Sequence, residues 1–258
     1  MFDFMQLVNN ENMKIYRRPR TWIMLGLLLV ITLSIPVLMY LYSGDMKPSM
    51  WLAVQIQSMM AIMMVTVFTV VIAAETVAGE FSSGTIKLLM IRPWSRSKIL
   101  LSKYIAMLLF GLLFMVVLFG WNILSSMILF GYDGEELMGN RSSIAYWTMN
   151  YFYEYVSLII VVTLAFLIST VFRSGGLAIG LSLFLLLGGS VITGIISMLD
   201  YEWVNYLLFA NLSLTDYLVS DVSQTTGKPM AFTLGVLGAY YVLFIAVTWL
   251  VFSKRDIA

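Results

Sequence analysis

Fourteen carboxylates and fifteen Lys or Arg side chains make up the charged inventory of this 258-residue chain, which has neither His nor Cys. Without imidazole or thiolate there is no Ser-His triad, no thiol nucleophile, no disulfide and no ordinary zinc site. The adjacent pair Glu135 and Glu136 lies in an acidic loop and reads as solvated surface, not as an acid and base at working distance. A G-x-x-x-x-G-K-[ST] phosphate loop, whose backbone amides would cradle ATP, does not occur. The chain is therefore expected not to be an enzyme, with no catalytic, cofactor-binding or metal-ligating residue of its own. No basic stripe interleaved with aromatic residues points to nucleic acid. What remains is the chemistry of contact, and it concentrates in residues 75–103, the long charged segment caught between two apolar runs.

Within that segment Ile86, Leu89 and Met90 recur at helical spacing while Lys87 falls off their stripe, which predicts a short helix with a narrow apolar face. Pro93 stops it. Glu80 stands just before this helix, where a carboxylate complements the N-terminal dipole. Arg96, Lys98 and Lys103 put positive charge at the mouth of the next apolar run, with stems in hydrocarbon and heads among the lipid headgroups. The segment is expected to lie on a membrane surface.

The elements that must position it are membrane helices. Hydrophobic residues form 60% of the chain and charged residues 11%, against roughly 45–50% and about 25% in soluble domains. Six runs carry no charge: 21–44, 48–74, 104–132, 155–172, 174–199 and 229–253. Each reaches the roughly 18 residues needed to cross a bilayer. Arg173, Ser174, Gly175 and Gly176 separate the fourth from the fifth as a turn at the membrane surface. Residues 1–20 mix apolar side chains with Lys14, Arg17, Arg18 and Arg20, a composition suited to an interfacial helix. The run after them exceeds the 7–15 apolar residues of a signal peptide, and no small-residue cleavage site closes it, so the first span is expected to stay attached.

The ordered set of Glu80, Gly84 and Thr85, the apolar Ile86, Leu89 and Met90, then Arg92, Pro93 and Arg96, and finally Lys103 opening a hydrophobic helix, resembles the signature of the type-2 ABC exporter permeases. The resemblance covers essentially the whole chain. It implies an all-α integral membrane fold: an N-terminal elbow helix over 1–20 and a six-span domain over 21–258. It also implies that residues 75–103 hold a coupling helix, docking into a groove on a separate ABC ATPase that supplies ATP and Mg. Glu80, Gly84, Thr85, Ile86, Leu89, Met90, Arg92 and Pro93 are the coupling residues by that resemblance. The implied partners are ABC ATPase subunits, a second permease copy or paralogue, and membrane lipids, in a bacterial cytoplasmic membrane.

Orientation follows from charge. With the N-terminus inside, the inner segments hold Lys14, Arg17, Arg18, Arg20, Lys87, Arg92, Arg96, Lys98, Lys103, Arg173, Lys254 and Arg255, while the outer ones hold only Lys47, Arg141 and Lys228. That distribution satisfies the positive-inside rule and puts both termini in the cytoplasm. The outer segments 133–154 and 200–228 are then acidic and aromatic. The second, with Tyr201, Trp203, Tyr206, Phe209 and Tyr217, reads as re-entrant or interfacial.

Inside the spans, Gly176 with Gly180, and Gly235 in the last span, have the small-residue spacing that lets helices approach closely, and are expected to pack within the bundle. Asn122, Ser125 and Ser126 are candidates for a translocation path, although hydrogen bonds between helices explain them equally well. The reading is the permease subunit of an ATP-driven exporter of amphipathic or hydrophobic cargo, such as a peptide or antibiotic. The alternative is a non-transporting scaffold or sensor that recruits a cytoplasmic partner through residues 75–103.

Overall fold

The computed structural model describes residues 2–44, 48–85, 94–134, 137–138, 141–172, 174–198 and 201–254. Seven α-helices occur among them: α1 (Phe2–Tyr16), α2 (Pro19–Tyr42), α3 (Met50–Ser82), α4 (Arg96–Phe130), α5 (Ser143–Val171), α6 (Gly175–Ser197) and α7 (Met230–Lys254). The last six are each long and apolar enough to cross a membrane. They correspond to the six charge-free runs, and the fourth and fifth are indeed separate helices.

The helices differ in length for a physical reason. At 1.5 Å per residue, α3 with 33 residues and α4 with 35 are about 50 Å long, whereas the hydrocarbon layer is about 30 Å thick. Both overshoot the bilayer. Residues 75–82 and 96–103 are the end of α3 and the start of α4, parts of two helices longer than the hydrocarbon layer, and not one continuous surface segment. Ser49 caps α3 by accepting the Leu52 N–H, and Ser95 caps α4 by accepting the Lys98 N–H. Gly84, at φ +71°, follows the end of α3 in the left-handed conformation that glycine adopts without strain.

α3 lies at the centre, packed by α2, α4, α5 and α6, while α7 covers α5 and α1 rests on α4. Leu7, Val8, Glu11 and Ile15 form the buried face of α1, three to four residues apart. At this end of the bundle the Arg96 side chain donates to the Ser253 carbonyl (2.9 Å) and the Trp249 indole to Ser97 Oγ (2.8 Å), so α7 ends where α4 begins. α1 and the end of α7 thus lie at one end of the bundle, as an even number of crossings requires. At the opposite end the Met50 N–H donates to Asp133 (2.6 Å) and the Trp51 indole to the Gly134 carbonyl (2.8 Å).

The segment read as re-entrant consists of three short 3-10 turns, Glu202–Tyr206, Phe209–Asn211 and Leu214–Leu218, packed on α5, α6 and α7. Val204, Leu208, Ala210 and Leu214 are buried there, while Tyr201, Trp203 and Tyr206 face outward. Close approaches fall at Gly189 of α6, where an added Cβ would stand 2.3 Å from the Phe209 ring, and at Gly111 of α4, where it would stand 3.0 Å from Leu158. Gly176, Gly180 and Gly235 make no such approach: nothing lies within 4 Å of a Cβ built at any of them. The expected packing of these three glycines within the bundle is therefore corrected. α2, α6 and α7 leave most of their surfaces outside the fold, and these glycines lie on two of those helices.

Glu154 lies on a helix. The second half of the run 133–154 is the start of α5, and Glu154 sits eleven residues past Ser143 on that 29-residue helix, just before the charge-free run 155–172. The local sequence Tyr151, Phe152, Tyr153 and Tyr155 around it sustains the helix through one acidic side chain.

Candidate functional site

The end of the bundle where α3 stops and α4 starts holds a cluster of charges. Lys103, one turn further in than Ile99 on α4, has only 2% of its side chain exposed. Its ammonium donates to Glu11 Oε2 of α1 at 2.9 Å and to Glu80 Oε1 of α3 at 3.1 Å. Lys14 of α1 donates to the same two carboxylates, at 2.8 Å to Glu11 and 3.0 Å to Glu80. Two cations and two anions thus alternate in a closed ring spanning three helices. A second clamp lies beside it, where Arg18 (3.0 Å) and Arg20 both bind the Glu75 carboxylate and fix the start of α2 to α3.

This geometry corrects two readings. Lys103 does not reach for headgroups; its charge is satisfied inside the protein, because α1 lies across it and brings Glu11 within reach. Glu80 is not ahead of a helix but in the last turn of α3, where its other oxygen accepts from Thr85. A carboxylate at a helix C-terminus is disfavoured by the dipole, and the two lysines and the hydroxyl offset that. Ile86, Leu89, Met90, Arg92 and Pro93 lie outside the described residues. Of the expected coupling residues, Glu80, Gly84 and Thr85 are therefore the ones placed, at the point where the chain leaves α3 toward them.

Burial alone would push the Glu11 carboxyl up, but Lys103 and Lys14 outweigh it and hold it below the usual carboxylate value. Burial likewise disfavours the charged form of Lys14, yet Glu11 and Glu80 prevail and raise its pKa. A lowered Glu pKa contributes stability above the unfolded value, about 4.3, and loses it as pH falls through the folded one. A raised Lys pKa contributes stability below the unfolded value, about 10.4, and loses it as pH rises through the folded one. Thermal denaturation in detergent should accordingly give a plateau from about pH 5 to about pH 9.5 with a fall on either side. A midpoint that rises steadily toward acid would contradict the ring.

An open cavity of about 900 Å³ adjoins the ring, between the α1–α2 junction, the end of α3 and the start of α6. Asn122, Ser125 and Ser126 do not line it. They lie deeper, with Gln57 and Ser58, in a buried cluster: Gln57 donates to the Thr32 carbonyl (3.1 Å) and Ser125 (3.2 Å) and accepts from Ser126 (3.2 Å). Asn122 donates to the Tyr151 hydroxyl at 3.0 Å, which donates to Ser58 at 3.1 Å. In this conformation these side chains join α2, α3, α4 and α5 instead of opening a path. Ser169 was missed from sequence: its hydroxyl accepts the Val77 and Ala78 N–H groups of α3, both at 3.0 Å. A lone Ser in an apolar run carries no signal that would single it out. Glu11 was also missed, since a carboxylate in a basic N-terminal segment reads as solvated until α1 is folded onto α4.

Residues 21–258 match the family described as Protein of unknown function (DUF2705). The chain belongs to that family. Among relatives of this DUF2705 chain in Bacillus subtilis (strain 168), the Uncharacterized protein YhcI is 43% identical over 202 residues, 74% of this chain and 64% of YhcI. The match thus spans less than two thirds of YhcI's own length. The Uncharacterized membrane protein YdbK of the same organism is 30% identical over 204 residues, 73% of this chain and 76% of YdbK. Six apolar helices and kinship to a membrane protein make this DUF2705 member a multi-pass membrane protein.

Proposed function

We propose that this chain is the transmembrane permease subunit of an ATP-driven exporter, resembling the type-2 ABC permeases, and that residues 75–103 couple it to a separate ATPase. The observation that carries the reading is the ring of Glu11, Lys14, Glu80 and Lys103. It ties the last turn of α3 and the first turns of α4, which flank residues 86–93, to each other and to α1. A push delivered to residues 86–93 would reach two 50 Å levers at once (about 1.5 Å per residue), and through α1 the start of the chain. In this proposal Gly84 and Thr85 form the exit from α3, while Ile86, Leu89, Met90, Arg92 and Pro93 meet the ATPase, which holds ATP and Mg. A second permease copy or paralogue covers part of the apolar surface left by α2, α6 and α7. The cargo is amphipathic or hydrophobic, such as a peptide or antibiotic.

The decisive experiment is co-expression with a phosphate-loop ATPase encoded beside it. The two should co-purify in detergent and hydrolyse ATP with a rate that responds to cargo, while the isolated chain hydrolyses none. ATP turnover by the homogeneous chain, or a stable complex that moves no cargo, would sink the proposal; the second result would instead fit a recruiting scaffold.

Orientation is tested in the Cys-free background. Ser82 and Thr225 are exposed and at opposite ends of the bundle, whereas Ser223 is buried and unsuitable. With the ion-pair end cytoplasmic, as the basic asymmetry requires, Thr225→Cys should react with an impermeant thiol reagent in intact cells. Ser82→Cys should react only after permeabilisation, and its labelling in intact cells would reverse the assignment.

A further inference from the structure

We propose that the cavity beside the ion-pair ring binds the phosphate headgroup of an anionic phospholipid. Its volume, about 900 Å³, is that of a small-molecule site. The described lining carries four cations, Lys14, Arg18, Arg20 and Lys103, against three carboxylates, Glu11, Glu75 and Glu80, so one positive charge is uncompensated.

The unspent donors lie on the two arginines. Arg18 and Arg20 each use one terminal nitrogen on Glu75, and the other terminal nitrogen of each guanidinium has no hydrogen-bond partner among the described residues. A guanidinium offers five donors, and its fork matches a phosphate. Opposite them the cavity wall is the first turn of α6, a helix of 23 residues. Ser174 caps Leu177 there, and the N–H groups of Gly175 and Gly176 have no partner among the described residues. Such a turn adds a partial positive charge to the same space. Open space of 4 Å around a Cβ at Gly176 leaves its backbone accessible.

The choice of a lipid over a soluble phosphate ester rests on the rest of the wall. Ile15, Ile72, Ala106 and Ile179 line the cavity with the charges, and Leu177 of α6 is 63% exposed beside it. A ligand with an anionic head and apolar chains satisfies both halves, and a purely polar one satisfies only the first. Arg20 of α2 and Ser174 and Ile179 of α6 both line the cavity, and these two helices leave most of their surfaces outside the fold, so a ligand with apolar chains would reach it from the membrane.

The test uses the purified full chain and native mass spectrometry with phosphatidylglycerol, phosphatidylcholine, glycerol 1-phosphate and inorganic phosphate. Phosphatidylglycerol should bind about tenfold tighter than phosphatidylcholine, since charge-assisted bonds to phosphate distinguish a net anionic head from a zwitterionic one. Gly176→Leu, which fills the cavity without touching an ion pair, should weaken that binding about tenfold with the thermal midpoint unchanged. Arg18→Gln with Arg20→Gln should weaken binding at least as much, with a lower thermal midpoint because Glu75 loses both of its partners. Equal binding of the two lipids, or wild-type binding by Gly176→Leu, would overturn the site. Displacement of phosphatidylglycerol by an equal concentration of glycerol 1-phosphate or inorganic phosphate would keep the phosphate site and assign its ligand to solution. None of these readouts depends on an ATPase.

Discussion

Replacing Lys103 by Met should destabilise the chain by about 3–5 kcal/mol, the cost of breaking a buried ion pair from one side. The volume and shape of the side chain are nearly kept, so the loss is electrostatic. Glu11, with 7% of its side chain exposed, and Glu80 both lose the ammonium between them, and Lys14 is left to serve two carboxylates. Adding Glu11→Gln should recover much of the loss, because the remaining pair of Lys14 and Glu80 is balanced at 3.0 Å. Unfolding of the parent, the two single variants and the double variant in mixed detergent micelles measures both effects, and the interaction term of the cycle should be on the order of 1–3 kcal/mol. A single variant as stable as the parent would show that Lys103 is hydrated in the membrane-bound protein and the ring is not closed.

Leu89→Asp should abolish assembly with the ATPase while leaving the six-span fold in place. In the proposed docking mode Ile86, Leu89 and Met90 form an apolar knob, and a carboxylate at its centre would be buried without a partner, at a cost on the order of several kcal/mol. Because 1.4 kcal/mol is about a factor of ten in affinity, such a cost removes a micromolar complex from any purification. The ion-pair ring contains none of these residues, so the thermal midpoint of the isolated variant should match the parent. Co-purification, ATPase rate and cargo export at matched membrane abundance are the measurements. Full assembly and export by Leu89→Asp would exclude this segment as the coupling surface.

The sequence by itself determined the membrane class, the six apolar runs and their even number, because each rests on local quantities: the length of a charge-free run against bilayer thickness, and the Gly-rich break at residues 173–176. It also determined that no His or Cys chemistry is possible. Tertiary structure decided what the charges do. Glu11, Glu80 and Lys103 are separated by up to 92 positions, and nothing in their own neighbourhoods distinguishes a paired buried charge from a solvated one. Only the laying of α1 across α4 excludes water from Lys103 and joins these three residues and Lys14 into a ring. The same holds for the small and polar residues of the spans. Spacing shows that Gly176, Gly180 and Gly235 permit close approach, but whether a neighbour comes close depends on where the other elements pack, and here neighbours arrive at Gly111 and Gly189. Asn122, Ser125 and Ser126 have the hydrogen-bonding groups of either a path or a seam. Gln57 and Tyr151, brought opposite them by the packing of α3 and α5, make them a seam.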